Sequence, residues 1–243
     1  MGLRLLCVTA HPDDECFAFG GALAMASRRQ VETSILCFTD GSAGSYRGTA
    51  SSAQELGQLR RAEFAASCRI LGVHHHEILN YQDGQLEHQP LSRLAAEIVQ
   101  RIRILRPQVI GTFGADGGLN THADHTVASA AATAAFHWAG SPKRFPALGD
   151  LYTPQRLYHL TMNFFVEGRL RHIPSPWTHT LDVSSVLPLK LQAMQAHTTQ
   201  APLMERARPI FDEHGHQEHY LLAASVVPQP AMQSTDMFEG VAE

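Results

Sequence analysis

Cysteine is scarce: four residues in a chain of 243, Cys7, Cys16, Cys37 and Cys68, with no C-x-x-C pair among them. That spacing excludes a cysteine-rich structural zinc site and leaves buried free thiols as the expectation. Lysine and arginine form no block and the formal net charge is −4, so the basic footprint of a nucleic-acid binder is missing. A small molecule is the expected partner. No apolar run approaches the ~18 residues of a membrane span, and Leu3–Thr9 is too short for a signal-peptide core. The expectation is a cytoplasmic protein without a membrane span; homo-oligomerisation is left open. No G-x-G-x-x-G follows the first apolar run, which removes support for a dinucleotide site. Neither an internal repeat nor a domain boundary is visible, so residues 1–227 read as one domain and 228–243 as a flexible tail.

What is present is an alternation of short apolar runs with helical periodicity. Leu3–Thr9, Thr33–Phe38, Glu77–Asn80 and Gln108–Phe113 read as strands. Gly20–Arg29, Ser52–Leu71, Leu91–Leu105 and Ala123–Ala139 read as the helices between and after them, with Gly72 stopping the second. Beyond these the pattern weakens to a strand at Gln155–Leu160, a helix at Val186–Thr198 and a strand at Tyr220–Val226. The three histidines at 74–76 read as a solvated turn. Such alternation predicts an α/β protein, a Rossmann-like, doubly wound, mostly parallel sheet with helices on both faces. In such sheets ligands sit beyond the carboxyl ends of the strands, at the switch between the first and fourth in a 3-2-1-4 order.

Two charged clusters fall at that switch. "HPDDE" (11–15) follows the first strand and "HADH" (122–125) follows the fourth. His11, Asp14 and His125 make two imidazoles and a carboxylate, a donor set that suits Zn²⁺ and leaves positions open for water and substrate; Fe²⁺, Co²⁺ or Ni²⁺ fit the same donors. Asp13 is then free to act as a general base on water. His122, three residues before His125, would stabilise an oxyanion, and Asp124 would orient one of the imidazoles. Helix capping by Asp13, Asp14 and Glu15 is the plainer alternative. Asp40, after the second strand, either meets a substrate hydroxyl or makes an Asp-Gly turn. The glycine pair at 20–21 reads as close helix packing.

At these residues the chain resembles the LmbE-like, or PIG-L, family of zinc-dependent N-acetylglucosaminyl de-N-acetylases. The resemblance rests on "AHPDDE" (10–15), "GGALA" (20–24), "TDGSAG" (39–44), "RRAEFAASCRILGV" (60–73), "GADGGLNTHADHTVAS" (114–129) and "KLQAMQAHTTQ" (190–200). It implies zinc on His11, Asp14 and His125, Asp13 as general base, and His122 polarising the carbonyl with Asp124 behind it. Arg60, in an R-x-x-E pattern with Glu63, would meet substrate hydroxyls or pair with Glu63 on the helix surface. Leu119, Asn120 and Thr121 stand where mycothiol-pathway deacetylases carry a tyrosine, and Ala123 replaces a proline. The implied activity is metal-dependent hydrolysis of an N-acetylglucosamine-type sugar or glycoconjugate to acetate and a free amine. The alternatives are a non-catalytic sugar- or metal-binding protein on the same fold and a non-haem Fe(II) oxygenase on an all-β jelly roll.

Overall fold

Strand β1 (Arg4–Thr9) is buried along almost its whole length, as a run of Leu-Leu-Cys-Val requires when both faces of a sheet are covered. The computed structural model describes residues 2–118, 120–162, 164, 173–228 and 233–243. Leu119 and the tail residues 229–232, which figure in the sequence expectations, lie outside the described residues. After β1 the chain runs through α1 (Asp14–Arg28), β2 (Glu32–Thr39), α2 (Ala53–Leu71), β3 (His75–Tyr81), α3 (Leu91–Leu105), β4 (Val109–Phe113) and α4 (Ala123–Trp138). It continues with β5 (Arg156–Thr161), β6 (His179–Asp182), α5 (Leu187–Gln195), α6 (Ala201–His214) and β7 (Gln217–Ser225).

The seven strands lie in the order β3-β2-β1-β4-β5-β7-β6, with β1 to β5 parallel and β7 antiparallel to both its neighbours. Helices α3 and α4 pack together over one face, and α1, α2 and α5 over the other. This is the doubly wound α/β sheet expected, and it is not the jelly roll that the oxygenase alternative needs. The strand order reverses between β1 and β4, so the loops carrying His11 and His125 leave the same edge side by side.

Helix α2 shows how the local sequence sets these bounds. Ser52 caps it by accepting the Glu55 N–H at 3.1 Å, and Gly72 ends it in the left-handed region at φ 74°. The structure departs from expectation in several places. Helix α1 starts at Asp14 rather than Gly20, so Asp14 and Glu15 lie in its first turn. His75 and His76 open β3 instead of forming a turn, and β6 and α6 are additional. In its described part the expected tail also differs, because Met237 and Phe238 are buried and the buried guanidinium of Arg156 donates to the carbonyls of Met237 and Glu239.

Gly20 and Gly21 let α1 approach α5 and β7 closely. Both oxygens of the buried Glu218 on β7 accept main-chain N–H groups in the middle of α1, Gly21 at 2.7 Å and Ala22 at 2.9 Å, while Lys190 of α5 donates to the same carboxylate at 2.5 Å. A Cβ on Gly21 would overlap Val183 Cγ1 and stand 2.8 Å from a Glu218 oxygen. Gly21→Ala is therefore expected to destabilise the protein by about 1–3 kcal/mol, read as a lower denaturant midpoint.

Burial followed by the nearby Arg156 lowers the pKa of His179 from 6.5 to about 4, where its Nε2 meets the Tyr158 hydroxyl at 3.1 Å. The folded chain keeps this imidazole neutral while the unfolded chain protonates it below about 6.5. Protonation thus favours the unfolded state, and stability falls as pH drops from about 6.5 to about 4. Thermal melts across that window should show the decline, and His179→Gln should make it shallower.

Candidate active site

The loop at the end of β1 is folded back by its own side chains. Asp14 Oδ2 accepts the main-chain N–H of Ala10 at 3.1 Å and of His11 at 2.8 Å, which aims both carboxylate and imidazole over the strand end. Asp13 takes φ 101° and ψ −26°, a conformation an L-residue adopts at a cost of about 1–3 kcal/mol. Three groups hold it there. Glu15 Oε2 accepts the Asp13 N–H at 2.9 Å, Cys16 Sγ donates to the Asp13 carbonyl at 3.0 Å, and Arg60 donates to Asp13 Oδ2 at 2.9 Å. Asp13 occupies the N-cap position of α1 but makes no side-chain cap, so capping does not account for its carboxylate.

His11, Asp14 and His125 converge. His11 Nδ1 lies 3.3 Å from His125 Nε2 and 3.7 Å from Asp14 Oδ2, and His125 Nε2 lies 3.2 Å from Asp14 Oδ1. A tetrahedral ion with bonds of about 2.0–2.2 Å holds its donor atoms roughly 3.3–3.6 Å apart, which is this spacing. The outer ring nitrogens are committed elsewhere: His125 Nδ1 meets the Gly117 carbonyl at 3.0 Å, and His11 Nε2 meets Asp83 at 3.0 Å and Asp124 at 3.3 Å. Once His11 Nδ1 gives up its proton, as ligation requires, two ring nitrogens and a carboxylate face one another as donors to a single cation. Burial opposes charge on His11, but Asp124 and Asp83 overcome it and raise its pKa to about 10, a second sign of a cation-seeking field.

His11, His122 and Asp124 form an overlapping trio of donors, but Asp124 is committed to the N–H groups of Gly84 (2.8 Å) and Leu86 (3.1 Å). His122 precedes α4 in extended backbone, and its ring lies 5.5 Å from that of His125. Its Nδ1 accepts the Asp124 N–H at 3.1 Å, which leaves the proton on Nε2. Desolvation first, then His11 and His125, lower its pKa, so at neutral pH it is an uncharged donor. Burial raises the Asp13 carboxyl to about 6, against the pull of Arg60. These groups open onto a cleft of about 380 Å³, with Ser45, Asn120 and Gln200 among its polar lining and Phe17, Met162 and Phe211 on an apolar wall.

The structure thus brings His11, Asp13, Asp14, His122, Asp124 and His125 together. Arg60 also borders the cleft, but its guanidinium is buried on Asp13 and the carbonyls of Pro12 and Gly41. Glu63 turns to Thr198 and Thr199 instead of pairing with Arg60. Asp40 accepts the Ser42 N–H at 3.2 Å and meets Arg61 at 3.5 Å, so the turn alternative describes it and it does not line the cleft. The site includes Asp83, absent from the sequence-based set. Its signal was an acidic residue after the third strand, on the same carboxyl edge as the others.

Residues 6–136 match the PIG-L family, described as GlcNAc-PI de-N-acetylase. The 1D-myo-inositol 2-acetamido-2-deoxy-alpha-D-glucopyranoside deacetylase of Rhodococcus jostii is 28% identical over 98% of each chain. A conserved protein of Thermus thermophilus has a similar structure, with a TM-score of 0.73 and 27% identity over 96% of this chain and 100% of that one. The N,N'-diacetylchitobiose deacetylase of Pyrococcus horikoshii shares the fold at a TM-score of 0.71 and 22% identity, covering 89% of this chain and 82% of that one. With more than half of the chain inside the family match, this protein belongs to the PIG-L family.

Proposed function

We propose that this protein is a zinc-dependent N-deacetylase that hydrolyses the acetamide of an N-acetylglucosamine-type sugar or conjugate. The observation that carries the reading is the convergence of His11 Nδ1, His125 Nε2 and Asp14 beside a buried, strained Asp13 at the floor of a cleft. His11, Asp14 and His125 would hold the ion, and other divalent transition metals suit the same donors. Zinc bound there supplies Lewis acidity and makes water a stronger acid.

Asp13 takes the proton of the attacking water; its pKa near 6 keeps it ionised at pH 7 yet basic enough to accept. His122 donates its Nε2 proton as a hydrogen bond to the oxyanion that forms as the amide carbonyl becomes tetrahedral. Asp124 fixes that orientation through its main-chain N–H, and with Asp83 it holds His11 through Nε2. Asp13 then returns the proton to the departing nitrogen, giving acetate and a free amine. The apolar wall and the polar rim of the cleft suit a pyranose, which offers a ring face and several hydroxyls.

The test is product analysis on N-acetylglucosamine, N,N'-diacetylchitobiose and a glucosaminyl conjugate bearing an acidic aglycone. The reading expects acetate and free amine in equal amounts from at least one of them. Binding without turnover on every substrate would favour a non-catalytic sugar-binding protein instead.

A further inference from the structure

The deacetylation scheme uses the Asp13 carboxylate but leaves a set of buried polar groups behind it without a task. Glu15 and His197 are both fully buried, and His197 Nε2 lies 2.6 Å from Glu15 Oε1. The other oxygen of Glu15 accepts the Asp13 N–H. His197 leads into a 3₁₀ turn, Thr198–Gln200, between α5 and α6. There Glu63 of α2 accepts the Thr198 hydroxyl, the Thr199 N–H and the Thr199 hydroxyl, each at 2.7 Å. One helical turn before Glu63, Arg60 grips the Asp13 carboxylate. The path therefore closes on itself, by side-chain contacts from Asp13 to Glu15 to His197, from Thr199 to Glu63 and from Arg60 back to Asp13, and along the chain through the 197–199 turn and the 60–63 turn of α2.

We infer that this closed ring is a clamp that positions the general base, holding Asp13 at both its main-chain N–H and its carboxylate. Its members are positioning residues. A backbone at φ 101° persists only where its surroundings over-determine it, and the ring supplies that constraint from the first turn of α1, through Glu15, and from α2, through Arg60. Charge pairing alone needs only Arg60 at the Asp13 carboxylate; it does not require the Asp13 N–H to be gripped from the opposite side. The ring also passes through the 198–200 turn whose Gln200 lines the cleft, so the cleft wall and the base share one rigid frame.

His197 Nδ1 has no hydrogen-bond partner among the described residues. While Glu15 is a carboxylate His197 must carry a proton on Nε2 to donate to it, but because Nδ1 has no partner the proton can sit there without breaking any other contact. In Glu15→Gln the amide oxygen still accepts the Asp13 N–H, the amide nitrogen donates to His197 Nε2, and the histidine carries its proton on Nδ1 instead. Glu15→Ala removes both grips.

The inference rests on the deacetylase reading, and the experiment separates the two. Glu15→Ala, Glu15→Gln, His197→Leu and Thr199→Val are compared with wild type for kcat, KM, zinc stoichiometry and melting temperature. The clamp predicts that Glu15→Ala lowers kcat by about 10²-fold, as expected when a reacting group shifts by roughly an ångström, with KM and zinc content unchanged. Glu15→Gln recovers most of the loss, and His197→Leu and Thr199→Val fall between. Equal kcat in Glu15→Ala and wild type, loss of zinc in step with kcat, or failure of Glu15→Gln to recover would overturn it. If Glu15→Ala does not fold, the same criteria apply to His197→Leu and Thr199→Val. A wild-type protein without turnover sinks the deacetylase reading alone; the clamp is then judged by crystal structures, which must show Asp13 leaving positive φ in Glu15→Ala and keeping it in Glu15→Gln.

Discussion

Asp13→Asn lowers kcat for acetate release by about 10²–10⁴-fold while zinc stoichiometry stays at the wild-type value. The substitution keeps the size of the side chain and the main-chain contacts to Glu15 and Cys16, and removes only the capacity to accept a proton. Because the carboxylate is paired with Arg60 rather than with the three converging donors, its loss leaves those donors in place. The pH profile carries the same information. Burial raises Asp13 to about 6, so the base becomes protonated, and kcat falls, as pH drops through about 6. Arg60 opposes that shift, so in Arg60→Gln the acid limb moves to higher pH. Unchanged kcat in Asp13→Asn would assign the base elsewhere.

The second large effect concerns metal uptake. His11 is held protonated at neutral pH by Asp124 and Asp83 despite its burial, with a pKa near 10. A cation on His11 Nδ1 must displace that proton, so zinc binding at pH 7 releases about one proton from this residue. Affinity accordingly rises with pH, by up to about tenfold per unit while His11 remains protonated in the free protein, and weakens as the solution is acidified. Calorimetry in buffers of different ionisation enthalpy measures the proton count. His125→Ala removes one donor of three and leaves Asp14 facing a single imidazole, with expected loss of stoichiometric binding and of turnover. Tight zinc binding in that variant would move the ion to other residues, of which His11, His122 and Asp124, and Glu15, Cys16 and His197, are the remaining candidate trios among the described residues.

Much of this was legible in the amino-acid sequence, and the gaps have identifiable causes. The first four strands and their helices carry period and punctuation: α3 matched its expected bounds, Leu91–Leu105, because Leu94, Ile98 and Ile102 form an uninterrupted buried stripe. Helix α6 contains Pro202 and Pro209, and its apolar stripe, Leu203, Ala207, Ile210 and Phe211, lines the cleft with no residue of the helix fully buried. Strand β6 is four residues long at a sheet edge and offers little pattern.

Within the site, "HPDDE" and "HADH" stood out because charge at the carboxyl ends of strands has few structural uses. Asp40 and Asp83 show the limit. Each follows a strand and precedes a glycine, yet Asp40 turns to Ser42 and Arg61 while Asp83 reaches His11. The local signals are the same and only tertiary packing separates them. Arg60 and Glu63 failed for a related reason, since three-residue spacing on a helix suggests a mutual pair. Instead each is drawn to a different loop.

The most direct test of a metal-dependent deacetylase is acetate release by one preparation carried through chelation and reconstitution. The substrate is whichever N-acetylglucosamine derivative the untreated protein turns over. Stripped protein that retains its fold should release no acetate, and one equivalent of zinc should restore turnover, with Asp13→Asn inactive throughout. Full activity in the stripped protein, or reconstitution that restores binding without turnover, would contradict the account.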